Sequence, residues 1–296
     1  MKRIEIGIAF MALAWFAQVG NADEAIHNDA VTPPTEQRAI LNDSLSTWVN
    51  FSNSDVESDR PGLEYKGDIE TTSIGLEWSQ PKWAVGAALS YSEGSFDGPG
   101  SSDERDERKT QFMPYVTWKV LPGVQLRAFA GVSEGEFSRT RNFAGTADTF
   151  SGETDTRGTT LGLSAFVFAP IGPGALSTAF TIVKDRTKFD EFEEQPSDPA
   201  NFPTIDNPVF RQSVTTVSMQ GRYFVSLGKL TPYVSLGWFE HTSGNLNETD
   251  PNGWTWGGGL AYTMVPRARL AIQYQQLEGK DFEENRTLSG QFIFTF

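Results

Sequence analysis

The feature that most limits this chain is a two-residue hydrophobic alternation that recurs in segment after segment from about residue 44 to the end. In Trp83–Tyr91 the odd positions Trp83, Val85, Ala87, Leu89 and Tyr91 are apolar, while Ala84, Gly86, Ala88 and Ser90 are small or polar. Successive side chains of a β-strand point to opposite faces, so such a segment has one apolar face. Phe112, Pro114, Val116 and Trp118 repeat the pattern against Gln111, Met113, Tyr115, Thr117 and Lys119. So do Val124, Leu126, Ala128 and Ala130 against Gln125, Arg127 and Phe129, and Leu161, Leu163, Ala165 and Val167 further on. Later examples centre on Ile182, Met219, Leu236, Trp256, Ile272 and Phe292. Two weaker segments near residues 46–52 and 69–78 bring the expected total to about twelve, an even number as in bacterial outer-membrane barrels.

The connections between these segments alternate strictly in length. Short ones fall at Ser79–Pro81, Leu121–Gly123, Pro170–Gly174, Leu227–Lys229 and Val265–Arg267. Long ones span 53–65, 97–107, 139–155, 191–208, 242–252 and 279–284. Membrane barrels have short turns on the periplasmic side and longer outer loops. In a soluble sandwich two apolar faces meet in one core. Here the face opposite the apolar one carries Glu77, Lys119, Arg127, Gln220 and Arg222, which places these residues in a polar interior. The expected fold is therefore all-β: a transmembrane, antiparallel, up-and-down barrel over 44–296, closed so that no strand edge meets lipid.

Composition serves mainly to exclude. No run approaches the roughly 20 apolar residues of a membrane-spanning helix. Cysteine is absent and there are two histidines, His27 and His241, so thiolate chemistry and a multi-histidine zinc site are not expected. No cofactor or metal is expected. The net charge of −14 argues against nucleic-acid binding. Residues 1–22 have the form of a secretory signal: Lys2 and Arg3, an apolar stretch from Ile6 to Phe16, and the small residues Gly20 and Ala22 before a cleavage point. Residues 23–43 form a polar leader, with Pro33 and Pro34 ahead of a possible short helix from Thr35 to Asp43.

Several local patterns, in their order along the chain, resemble the translocator β-domain of autotransporters. They are Thr72-Ser-Ile-Gly-Leu-Glu-Trp78 followed by Trp83–Tyr91, then Phe189–Glu194, Gly221-Arg-Tyr223, Leu230-Thr-Pro-Tyr233 and the terminal Phe296. The likeness covers nearly all of 44–296. It implies a twelve-strand barrel inserted by the outer-membrane assembly machinery, which would read the last strand with Leu288, Phe292, Phe294 and Phe296 facing lipid. It also implies outer-membrane lipid and lipopolysaccharide as surroundings, and would make the Thr35–Asp43 segment a lumen-threading helix. Autotransporters carry a long passenger ahead of the barrel, whereas only a short leader precedes it here. The expectation is an orphan barrel with a structural, surface-interacting or narrow-pore role, the alternatives being a translocator for a separately encoded passenger and a phospholipase-like outer-membrane lipid hydrolase.

Two constellations invite chemistry. His241-Thr242-Ser243 is similar to the His-x-Ser arrangement of outer-membrane phospholipase A, because residues two apart on a strand share a face and could form a base–nucleophile pair. In register with Ser235 and Gly237, however, they would face the interior rather than lipid, and no enzyme is expected. The acidic groups Asp103, Glu104, Asp106, Glu107 and Asp190, Glu191, Glu193, Glu194 could attract divalent cations but lack a calcium-loop spacing. They are expected to be solvated loop surface.

Overall fold

The computed structural model describes residues 44–58, 64–98, 103–142, 148–244, 252–279 and 283–296. The expected signal, leader and Thr35–Asp43 helix lie outside the described residues. In chain order the strands are β1 (Ser44–Ser58), β2 (Tyr65–Ser79), β3 (Trp83–Asp97), β4 (Glu104–Leu121), β5 (Val124–Asn142), β6 (Thr149–Ile171) and β7 (Gly174–Phe189). Then follow β8 (Phe192–Pro196), β9 (Ile205–Asn207), β10 (Phe210–Phe224), β11 (Leu230–Gly244), β12 (Asn252–Val265), β13 (Ala268–Gly279) and β14 (Glu283–Thr295). Each barrel strand pairs antiparallel with its predecessor and successor, and β14 pairs with β1 to close the ring. Twelve strands form the wall. The other two, β8 and β9, pair with each other inside the long β7–β10 connection and touch the wall through β6.

The polarity is inverted relative to a soluble domain. Leu163, Leu161 and Val132 on the outer face are 63%, 60% and 58% exposed, while Arg127 and Thr181 on the inner face are 4% and 1% exposed. An apolar band this continuous is stable only against lipid, where every backbone group must already be paired within the wall. Tryptophans mark the short-turn edge of the band: Trp78 and Trp83 meet edge-to-face at 5.0 Å, and Trp83 is in register with Trp118. Amphipathic rings of this kind settle at the headgroup level.

The strands are longer than a bilayer requires. A tilted crossing needs about 9–11 residues, whereas β4, β5 and β6 run 18, 19 and 23. The excess lies at the long-loop end, where the outer face turns polar: along β4 it reads Trp118, Val116, Pro114, Phe112, then Thr110, Arg108, Asp106 and Glu104. This corrects the expectation of a loop over 97–107, since β4 already begins at Glu104, and of a plain loop over 191–208, which contains β8 and β9. Charged residues dominate those stretches, and composition hides strand pairing that continues beyond the membrane. At the short-turn end, Gly123, Gly172 and Gly228 adopt positive φ, a conformation that costs other residues steric strain.

Candidate functional site: the barrel lumen

The inner face of the wall is built from aromatic side chains folded over glycines. Trp48 is in register with Gly75, Tyr115 with Gly86, Phe129 with Gly162 and Tyr233 with Gly259. A Cβ on Gly75 would lie 2.2 Å from the Trp48 ring, and one on Gly162 would lie 2.0 Å from the Phe129 ring. Each ring thus occupies the space its cross-strand partner leaves, lying against the wall. A glycine inside a strand often marks such a close approach, and an aromatic across the pair restores the burial the glycine lacks. Trp48, Ala88, Met113, Tyr115, Phe129 and Val183 form one inner cluster, with Ile293 against it.

On this lining sit the charged residues of the short-turn half. Glu77, Lys119, Arg127 and Arg222 lie on the inner face within four residues of the turn end of their strands, and Arg269 joins them from β13. Gln220 faces inward one step above Arg222, its Nε2 3.5 Å from Gln275 Oε1. The Arg127 guanidinium stands 4.8 Å from the Tyr115 ring centre and 5.3 Å from that of Phe166, while its Nε donates to Thr117 Oγ1 at 2.9 Å. Arg222 stands 5.5 Å over Tyr233. Lys119 Nζ donates to Ser79 Oγ and to the Gln80 carbonyl. Ring faces thus stand against Arg127 and Arg222, and a hydroxyl and a carbonyl accept from Lys119; stacking suits the planar, weakly hydrated guanidinium. Arg127, Arg222 and Arg269 lie on β5, β10 and β13, each three strands on from the last around the ring. Among the described inward residues of this half, Glu77 is the one carboxylate set against four cations.

The long-loop half has a mixed network. Gln111 Nε2 reaches across Gly131 to Thr160 Oγ1 at 3.1 Å, and Thr160 in turn donates to Asp185 at 2.6 Å. Lys109 and Glu107 are buried one and two inward steps above Gln111. Asp103 accepts from Arg105 at 2.9 Å and from Arg139 at 3.4 Å. Burial pushes the Asp103 carboxyl up, but the two guanidiniums beside it outweigh that and hold it below its ordinary value. Arg141 donates through both Nε and Nη2 to the fully buried Glu194 of β8. Glu107 and Glu194 are thus interior residues, not the solvated loop surface expected of the two acidic groups; Glu104, Asp106 and Glu191 are exposed.

His241 also faces inward, sharing a hydrogen bond of 3.0 Å with Thr216 Oγ1 and packing 5.2 Å from Phe239. The expectation that Ser243 shares its face fails on the backbone. His241 pairs with Thr216 and Ser243 with Thr215, consecutive residues of β10, so Thr242 is an extra residue bulged out of the ladder. A bulge of this kind shifts the alternation by one. Leu288 and Phe292 are exposed on the outer face of β14; Phe294 lies on the same face, 5.0 Å from the Phe296 ring.

The sequence singled out Glu77, Lys119, Arg127, Gln220 and Arg222, but missed Arg269, the ring-over-glycine lining and the network around Asp185. Arg269 was legible, being in alternation with Ala271 and Gln273. The lining becomes visible only when register pairs each glycine with a particular ring.

The family model of the autotransporter β-domain matches residues 47–253. Among solved structures, the translocator domain of the autotransporter NalP from Neisseria meningitidis is similar, with a TM-score of 0.81 at 14% identity, covering 96% of this chain and 98% of that one. The β-domain of the Bordetella autotransporter BrkA aligns with a TM-score of 0.67 at 13% identity, covering 84% of this chain and 98% of that one. The transport unit of AIDA-I from Escherichia coli gives 0.55 at 9% identity, covering 86% and 90%. No curated protein matches the chain by sequence. A closed ring of twelve antiparallel strands, an apolar outer band and a polar lumen agree with the family match, and the fold is one that typically carries no enzyme activity. The chain belongs to the autotransporter β-domain family, whose barrels are integral to the outer membrane.

Proposed function

We propose that this barrel acts as a translocator-type conduit whose lumen holds a polypeptide segment, gripping its carboxylates at the short-turn end. The observation that carries this reading is the set of four inward cations, Lys119, Arg127, Arg222 and Arg269, against the single carboxylate Glu77 among the described residues of that half. In a chain of net charge −14 such an excess is a local design, and low-dielectric walls strengthen its attraction for an acidic segment. The leader 23–43 fits it in charge. Asp23, Glu24, Asp29, Glu36 and Asp43 stand there against Arg38. The signal 1–22 would deliver the chain to the envelope, and Phe296 with the outer face of β14 would present it to the assembly machinery.

The test is single-channel conductance in planar bilayers, comparing the chain from residue 23 with one lacking residues 23–42. The reading expects a small or closed pore that opens in the shortened chain, with the opening favouring anions. Equal conductance with and without the leader would contradict it. If neither chain conducts, the lumen is closed by its own wall, and the barrel serves as a structural or surface-binding element.

A further inference from the structure

Around most of the barrel the polar zone above the apolar band is acidic, and its outward cations are spoken for. Lys66 pairs with Glu57, Arg108 with Glu93 and Arg286 with Glu284. One sector differs. On β6, β7 and β10 two adjacent rungs of outward residues read Thr159–Arg186–Ser213 and, one rung further out, Arg157–Lys188–Arg211. These six residues are among those lining an open groove of about 490 Å³, whose surface is mostly carbon. One rung nearer the membrane, Lys184 stands between Leu161 and Thr215, directly above Ile182 at the edge of the apolar band. Lys188 donates to Asp190, and Arg157 faces Glu134 in register. Lys184, Arg186 and Arg211 have no ion pair among the described residues.

We propose that this groove binds the phosphate groups of a glycolipid in the outer leaflet, with Arg186 and Arg211 as the principal ligands, Thr159 and Ser213 as hydroxyl donors, and Lys184, Arg157 and Lys188 around them. Two observations converge on that chemistry. All six groove side chains can donate hydrogen bonds, four of them as cations, and the carboxylates beside them, Asp190 on Lys188 and Glu134 across from Arg157, leave Arg186 and Arg211 without an ion pair among the described residues. Guanidiniums clamp phosphate oxygens in pairs. The array also sits at the end of the strands bearing the long loops, the outer side of such barrels, immediately above the lipid-facing Leu161 and Ile182. A headgroup whose acyl chains lie along the band therefore brings its phosphates to this height.

The test uses the full chain in nanodiscs, counting retained lipid by native mass spectrometry. The probes are bis-phosphorylated lipid A, its dephosphorylated form with the same acyl chains, and phosphatidylglycerol. The wild-type chain is expected to retain the phosphorylated lipid A at least roughly tenfold better than either of the others, since two or more charge-assisted bonds are at stake. The variant R186Q/R211Q should lose that preference. E70Q/E93Q, which alters the acidic sector at similar height, should keep it. Equal retention of the three lipids by the wild type would overturn the proposal even if no variant folded. Unchanged preference in folded R186Q/R211Q would overturn the site assignment. Displacement of bound lipid A by millimolar inorganic phosphate would show an ion site instead of a lipid site.

Discussion

Replacing Gly75 by alanine probes the ring-over-glycine lining directly. In a strand, alanine is normally better than glycine by roughly 0.5–1 kcal/mol, because glycine loses more backbone freedom on folding. Here the added Cβ would stand 2.2 Å from the Trp48 ring. Ordinary carbon contacts lie at about 3.5–4.0 Å, so the indole must retreat by about 1.3 Å or the strands must part. Trp48 is only 3% exposed and packs in the main inner cluster, so it has little room to retreat. Overpacking of this kind costs about 1–3 kcal/mol. G75A should therefore destabilise the refolded barrel by about that amount, read from urea unfolding in lipid vesicles by the loss of the slow-unfolding, gel-shifted form. The decisive comparison is the double-mutant cycle with W48A. Without the ring, G75A should become neutral or stabilising, a reversal of sign that requires coupling between the two sites. If G75A costs the same in both backgrounds, or nothing in either, the ring does not depend on the glycine and the reasoning is wrong.

Arg141→Gln would leave the buried Glu194 carboxylate without its guanidinium, a change that costs about 3–5 kcal/mol at a buried pair. It should detach the β8–β9 hairpin, seen as faster proteolysis within 190–209 with the barrel intact. Asp103 is held below its ordinary carboxylate value in the folded state, so its contribution is present above the unfolded-state value and is lost as pH falls through the folded one. Hydrogen exchange at the outer end of β4 and β5 should accelerate in acid, and D103N should show that acceleration already at neutral pH. Leu163→Arg, in the middle of the lipid-facing band, should destabilise insertion by about 2–4 kcal/mol, and the same change at Thr110, at the band's edge, by about 1 kcal/mol or less. Deleting Phe296 should slow insertion by the assembly machinery in a reconstituted assay more than it slows spontaneous refolding in detergent.

The wall was legible in the sequence because its cause is local: lipid on one side and water on the other impose a two-residue period that survives any error in strand ends. Loop alternation fixed the up-and-down order for the same reason. What failed to show were features set by pairing. The reach of β4 to Glu104 and the β8–β9 hairpin lie outside the membrane, where no apolar face signals a strand. The bulge at Thr242 is invisible to alternation, because a single extra residue leaves the composition unchanged while it moves Ser243 out of step with His241. In the lumen, residue type was enough to place Arg127 and Arg222 inside. What holds them, the faces of Tyr115, Phe166 and Tyr233, depends on register across three strands. Glycines 75, 86, 162 and 259 read as small fillers until each acquires its ring.

One face of the closed wall meets lipid while the other meets a polar lumen. The chain has no cysteine, so single cysteines can be placed on β6 at positions 160, 161 and 163 to 167, leaving Gly162 under its Phe129 ring, spin-labelled, and measured in bilayers for collision with oxygen and with a water-soluble nickel complex. Positions 161, 163, 165 and 167 should favour oxygen and 160, 164 and 166 should not, with a clean period of two. A flat profile, or nickel accessibility at Leu161 and Leu163, would contradict the account.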